Sequence, residues 1–210
     1  MNRRSLLLTW ITTGLVFVLS ACVGGKNIAP AVVYDFGLPV AVSSADARWA
    51  AVVLEVRSPP WFDSLGVNYR LAYDDPLKSR QYLDSRWVAN PASLLAQRLR
   101  QQLGTSMMSS GAVADCLLRV DLQEFSQVFD TRESSRGVIQ ADALLVDGKR
   151  RRLGERRFIL QQSATAPDAR GGVGALVLVA NELGAEMSRW LAELSARQGP
   201  TFCRLSQGMK

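Results

Sequence analysis

The sequence predicts an α+β domain in which a mixed or mainly antiparallel β-sheet is covered on one face by two helices. Two observations support this fold class. Several short segments alternate apolar and polar residues with a period of two, which is typical of half-buried strands. Two longer segments place apolar residues at helical spacing. Their order along the chain is strands, helix, strands, helix, and this order argues for a sheet with helices on one side.

The first half of the chain is predicted to contain strands at 31–36, 50–57 and 66–73, with a short edge strand around Arg80 to Leu83. In the third of these segments Val67, Tyr69, Leu71 and Tyr73 share one side. A helix follows, because Asn90 and Pro91 supply a capping residue and a proline at the first helical position. Gly104 is a suitable residue to end it.

The second half begins with a strand at Cys116, and its alternation slips near Glu124, which predicts a β-bulge there. Strands at 137–146 and 153–163 are predicted to form a hairpin through Asp147-Gly148. An apolar stripe from Val173 to Leu194 then predicts a long helix. The glycine-rich segment 171–174 lacks the Lys-Ser/Thr of a phosphate-binding loop, so it is interpreted as a plain loop before that helix.

The N-terminus has the layout of an export signal. Arg3 and Arg4 precede a nearly apolar run from Leu6 to Leu19, which is shorter than the roughly 20 residues of a spanning helix. We therefore expect residues 1–21 to be a cleaved leader, 22–30 to be a flexible tether and 31–210 to form a single domain.

The leader ends in Leu-Ser-Ala followed by Cys22, a segment that resembles the lipobox of bacterial lipoproteins. In that class the cysteine receives a diacylglycerol and an N-linked acyl chain. At about 0.8 kcal/mol per buried methylene, two or three chains anchor a protein stably where one does not. Val23 follows the cysteine, and the resemblance then implies the outer membrane. The alternative is that Cys22 is only a small residue beside an ordinary cleavage site.

The composition narrows the function classes. The chain contains no histidine, which excludes Ser-His-Asp and Cys-His catalysis and removes the commonest transition-metal ligand. We therefore expect no enzymatic activity, no metal and no cofactor apart from the acyl groups on Cys22. Loss of the two leader arginines lowers the net charge from +6 to +4. That bias is too small to indicate nucleic-acid binding, but it is compatible with an anionic lipid surface or an acidic partner.

If Cys22 is acylated, Cys116 and Cys203 remain as a pair. An exported protein reaches a compartment in which disulfides persist, so a bridge between them is favoured. The alternative is a pair of buried free thiols, since the sequence does not give the distance between them.

Two segments are candidate contact sites for lipid or for a partner. The hairpin tip is basic, with Arg150, Arg151 and Arg152 in succession, and guanidinium groups bind phosphate well. A solvated hairpin is the alternative, because edge charges also prevent aggregation. Trp61 and Phe62 follow a strand end, where they either pack on the domain or form a contact surface.

Three stretches resemble the ABC-type transport auxiliary lipoproteins, the PqiC-like group that accompanies MCE-domain proteins. They are "VVLEVRSPPWFDSLGVNYR", "QYLDSRWVANPASLLAQRLRQQL" and "ADCLLRVDLQEF", and the resemblance extends over most of residues 31–195. It rests on distributed features such as Tyr69-Arg70 at a strand end, Tyr82 and Trp87 before the leucine-rich helix, and the Ala114-Asp115 strand start.

The resemblance implies a domain that is tethered to the outer membrane and faces the periplasm. It also implies association with an MCE-domain protein and an inner-membrane transporter that moves lipid between membranes, and in some members a homo-oligomeric ring. The first hypothesis is thus a non-enzymatic docking component of lipid or hydrophobic-solute transport. The second is a structural envelope lipoprotein of a secretion or peptidoglycan-associated assembly, since small domains of this layout serve many roles.

Overall fold

A computed structural model of the chain describes residues 30–38, 49, 52–105, 116–199, 202 and 203. Its first four strands are β1 (Val32–Tyr34), β2 (Val52–Arg57), β3 (Gly66–Leu71) and β4 (Asp75–Trp87). After helix α1 (Pro91–Leu103) come β5 (Cys116–Phe129), β6 (Ser135–Asp147) and β7 (Arg152–Ser163), and helix α2 (Ala169–Gln198) follows. A single 3₁₀ turn occupies Pro60–Phe62. The α+β class with a mixed sheet and two helices is confirmed.

The long strand β5 organises the sheet. One edge pairs antiparallel with β6 along its whole length, whereas the other edge is shared by two parallel partners. Strand β2 pairs with Cys116 to Asp121, and β3 pairs with Gln127 to Phe129. The resulting sheet has seven strands in the order β1-β4-β3-β5-β6-β7, with β2 beside the first half of β5.

The predicted bulge lies where the alternation of β5 slips, since its register with β6 shifts between Leu122 and Glu124. An extra residue resets the period of two. As a result Leu122 before the bulge and Phe125 after it are both buried in the core. The strand therefore keeps one face toward the core over its 14 residues.

Both helices contribute to one core on the apolar face of the sheet. Helix α2 packs against β5, β6 and β7, while α1 packs against α2 and β2. The fit of α2 is close at Gly137 of β6, where a Cβ atom would lie 2.7 Å from the backbone nitrogen of Leu176. Trp87, which precedes α1, is buried against Phe36 and Phe125.

Several element boundaries differ from the predicted ones. The third strand ends at Leu71, and Tyr73 lies exposed in the turn that follows. The predicted short edge strand is instead the 13-residue β4, whose two register shifts against β3 hide its period from the sequence. The glycine-rich segment 171–174 is not a loop but part of α2, which begins at Ala169. Asp168 explains this earlier start, because its side chain accepts a hydrogen bond from the Gly171 N–H and caps the helix.

Candidate functional site

A disulfide joins Cys116 at the start of β5 to Cys203 after α2. The two Cα atoms are 5.4 Å apart, and both residues are buried. The bridge connects positions 87 residues apart and fastens the segment that follows α2 to the sheet. Phe202 strengthens this attachment by packing edge-on against Trp49. The pairing favoured by the cysteine count is therefore present, whereas Cys22 lies outside the described residues.

The basic hairpin between β6 and β7 is organised by Asp147. Its carboxylate accepts hydrogen bonds from the backbone of Lys149 and Arg151 and from the Arg151 side chain. These bonds, led by the one from the Arg151 backbone, hold the pKa of Asp147 below its ordinary value. Arg150 adopts a positive φ of 62°, which completes the turn. The Asp147 carboxylate thus stabilises the predicted Asp147-Gly148 turn by accepting hydrogen bonds from the backbone of that turn.

Half of the positive charge at the tip of this hairpin is neutralised locally. Arg151 pairs with Asp147 at 2.7 Å, and Arg152 pairs with Glu155 at 2.9 Å. Among the residues that the structure describes, Lys149 and Arg150 form no ion pair. Of the three arginines predicted to contact lipid or a partner, only Arg150 is therefore left without an acidic partner in this part of the chain. These are exposed pairs, and such pairs contribute little stability.

The arginines of the returning strand are also engaged. Arg157 binds Asp142 through two hydrogen bonds of 2.7 and 3.1 Å, and the Asp142 carboxylate raises the pKa of Arg157. Arg156 turns toward α2, where it lies near Glu186 and Glu193 and over the ring of Phe158. These contacts connect β7 to β6 and α2, so their role is structural.

The Pro60–Phe62 turn separates its two aromatic side chains. Phe62 is 4% exposed and belongs to the core, whereas Trp61 is 76% exposed. The sequence left open whether these two residues pack on the domain or form a contact surface. Phe62 packs on the domain, whereas Trp61 is available for contact. The reason is local, because a 3₁₀ turn of three residues directs successive side chains in different directions. Trp61 remains a candidate contact residue.

A buried polar network connects three strands and was not found from the sequence. The Tyr82 hydroxyl of β4 donates to the Gln127 Oε1 of β5 at 2.9 Å, and the Gln127 Nε2 donates to the Ser135 Oγ of β6 at 2.7 Å. Gln127 has no exposed surface. Burial raises the pKa of Tyr82, with smaller contributions from Tyr69, Asp168 and Asp84. The only sequence signal was a glutamine at a position that the alternation after the bulge assigns to the core side.

Neither a metal-binding cluster nor a membrane-spanning helix is found in the part of the chain that the structure describes. No group of three Cys, Asp or Glu side chains there is arranged to hold a metal ion. No described helix is both long and apolar enough to cross a bilayer.

No family model matches the sequence, and no curated protein matches it either. Solved structures do match the fold. One is a Xanthomonas campestris protein assigned to the DUF330 family, with a TM-score of 0.61 and 13% identity over 82% of this chain and 92% of that one.

A second, described as an uncharacterized protein, has a TM-score of 0.60 and 17% identity over 77% of this chain and 99% of that one. A Caulobacter crescentus protein described as a proposed lipoprotein has a TM-score of 0.46 and 12% identity, over 73% of this chain and 96% of that one. The first two likenesses show that this chain shares its fold with the DUF330 protein and the uncharacterized protein.

Proposed function

We propose that this chain is an outer-membrane lipoprotein that acts as a non-enzymatic docking component of an intermembrane lipid transport system. The observation that carries the proposal is the use of its three cysteines. Cys116 and Cys203 are bonded to each other, which suits an oxidising compartment outside the cytoplasm. Cys22 is the third, and it lies within the lipobox-like segment at the end of an export leader.

The anchor explains how a domain with modest surface features can dock. Acyl chains on Cys22 confine the domain to one membrane surface and raise its effective concentration toward a partner that reaches that surface. A weak docking face is then sufficient. The transport energy comes from the inner-membrane partner in this scheme.

The resemblance to the PqiC-like auxiliary lipoproteins supplies the identity of the partner. It is carried by segments that form β2, β3, β4, α1 and β5, all of which precede the β6–β7 hairpin in the chain. The proposed partner is accordingly an MCE-domain protein that spans the periplasm, together with its transporter.

In-cell crosslinking tests this assignment. The acylated full chain, purified after crosslinking, should recover an MCE-domain protein and inner-membrane permease components. The Cys22→Ser variant is the matched control, and it should recover much less of both because it is no longer confined to the membrane. Recovery of secretion or peptidoglycan-linked proteins without any MCE-domain protein would establish the structural alternative instead.

A further inference from the structure

Strand β7 leaves one long and regular edge of the sheet unpaired among the described residues. It is the last strand of the sheet, and only β6 pairs with it in this part of the chain. Its register with β6 runs without a shift from Gly154 to Ser163. A free edge that is long and without a bulge is a template on which another chain can add a strand.

The backbone groups on this edge follow from one hydrogen bond at the end of the strand. The Ala164 N–H donates to the Ser135 carbonyl at 2.9 Å. Hydrogen-bonded positions alternate along an antiparallel pair of strands, so the even-numbered residues of the regular segment direct their N–H and C=O groups to β6. The odd-numbered residues from Glu155 to Ser163 therefore direct theirs to the free edge.

The charged side chains of β7 do not protect the whole edge. Natural edge strands are commonly blocked by charged side chains. Here Arg156 is directed toward Glu186 of α2, and Arg157 is bonded to Asp142 of β6. The second half of the strand, residues 158–163, contains no charged residue. The unprotected part of the edge is thus this second half.

The middle of the edge is apolar on both faces of the sheet. On the helix-covered face Phe158 is buried against Trp190, and Leu160 packs on the same core while remaining partly accessible. On the open face Ile159 is 61% exposed. Three consecutive apolar residues on an unpaired strand offer a second strand apolar contacts on each of its own faces.

We propose that two copies of this chain pair antiparallel through β7, about a two-fold axis at Ile159, so that their sheets become one. This arrangement places Ile159 opposite its own copy on the open face. Phe158 of each copy then lies opposite Leu160 of the other, and Arg157 lies opposite Gln161. Each apolar residue meets an apolar one, and no arginine faces another arginine, which is the pairing that stabilises antiparallel strands. The proposal does not depend on the lipid anchoring.

The same reasoning disfavours neighbouring registers. The outward backbone groups belong to odd-numbered residues, so the axis must pass through a residue and not between two residues. An axis at Phe158 would set Arg157 against Ile159. An axis at Leu160 would set Ile159 against Gln161. An axis nearer the start of the strand would set arginine against arginine, and like charges directly opposite are destabilising.

The size of the contact is adequate for a specific pair. Residues 155–163 of the two copies would exchange about ten backbone hydrogen bonds, which is the usual number for a protein–protein interface. A two-fold contact of this kind uses the same edge of both copies, so it closes after two chains. The expected assembly is accordingly a dimer.

Cysteine crosslinking tests the pairing and its register. In the full chain, Ile159→Cys places two thiols on residues whose Cα atoms lie about 5.5 Å apart, a distance that a disulfide can span. Mild oxidation should therefore give a covalent dimer, and the native protein under the same oxidation measures the background. Gln161→Cys is the matched control, because its two copies would be about 13 Å apart along the strands and should not crosslink.

A monomeric Ile159→Cys protein after oxidation overturns the proposal, as does equal crosslinking at positions 159 and 161.

Sedimentation of the purified full chain in detergent is the second measurement. The native protein should be a dimer, and Ile159→Lys should raise the dissociation constant of that dimer about tenfold or more, because two ammonium groups would face each other at the axis. Leu83→Lys on β4 is the control, since Leu83 is 100% exposed and lies outside β7. That variant should remain dimeric. A monomeric native protein, or a dimer that Ile159→Lys leaves intact, overturns the proposal.

Discussion

Gln127 determines how closely α2 can approach the sheet. Its amide is fully buried, and it is held between Tyr82 and Ser135. A Cβ atom at Gly172 of α2 would lie 2.0 Å from the Gln127 Oε1. The absence of a side chain at position 172 is therefore needed for the network, because a methyl group there would displace a buried amide from both of its partners.

Gly172→Ala should lower the free energy of unfolding by about 1 to 3 kcal/mol, since it leaves buried polar groups unpaired. Gly174→Ala is the matched control. It lies in the same helix, and its Cβ would meet no atom within 4 Å. That change should raise stability by about 0.5 to 1 kcal/mol, because glycine is unfavourable in a helix interior. Urea denaturation measures both, and equal effects of the two substitutions would contradict the packing described here.

Tyr82 gives a prediction for alkaline pH. Its pKa is raised in the folded protein, mainly by burial, whereas in the unfolded chain it ionises near pH 10. The contribution of protonated Tyr82 to the free energy of unfolding is fully present below about pH 10. It decreases as the pH rises above that value, because Tyr82 loses its proton in the unfolded state before it does in the folded state. The free energy of unfolding should thus fall less steeply above about pH 10 in Tyr82→Phe than in the native protein. Parallel declines in the two proteins would show that Tyr82 is not the group concerned.

At the scale of single elements, α1 shows how a cap and a neighbouring segment are linked. The Asn90 Oδ1 accepts from the Ser93 N–H at 2.9 Å, and the amide nitrogen of the same side chain donates to Asp63. The Asn90 side chain thus satisfies one free N–H at the start of the helix, and it also holds the segment that carries Trp61.

Asn90→Ala should destabilise the protein by about 1 kcal/mol or somewhat more, because both bonds are lost. Ser93→Ala keeps the N–H that the cap uses, so it should change stability by less than about 0.5 kcal/mol. Thermal unfolding of the two variants measures the difference. A result in which Ser93→Ala is the more damaging change would refute the assigned cap.

The elements also show where sequence reasoning succeeds. The cap of α1, the bulge of β5 and the β6–β7 turn were predictable, because each depends on a residue type at a fixed local position. Strand β4 and the start of α2 were not. Strand β4 is irregular in its pairing with β3. The start of α2 contains three glycines, which disfavour a helix; close packing explains Gly171, which faces Ala166, and Gly172, which faces Gln127.

At the scale of the whole molecule, the disulfide connects the start of the central strand with the segment after the last helix. Reduction, or the double change Cys116→Ala/Cys203→Ala, should cost about 4 kcal/mol in the chain-entropy model for a loop of this length. Guanidinium denaturation with and without reductant measures this loss. Cys22→Ser should leave the stability of the domain unchanged, and an equal loss in that variant would contradict the assigned pairing.

The candidate surfaces were only partly predictable from the sequence. Cysteine parity and the expected compartment predicted the bridge between Cys116 and Cys203, which is present, whereas the acylation of Cys22 stays a prediction. The exposure of Val32 and Val33 was not foreseen, because β1 is placed at the edge of the sheet by its parallel pairing with β4. Long-range pairing of a three-residue edge strand leaves no periodic signal in the sequence.

The central claim is that acyl chains on Cys22 hold this domain at a membrane surface. Intact-mass analysis of the protein purified from the membrane fraction tests it most directly. The account predicts a chain that begins at Cys22 and carries the added mass of a diacylglycerol and an N-linked acyl group. A membrane-fraction protein with an unmodified thiol at Cys22, or one whose mature chain begins at another residue, would contradict it.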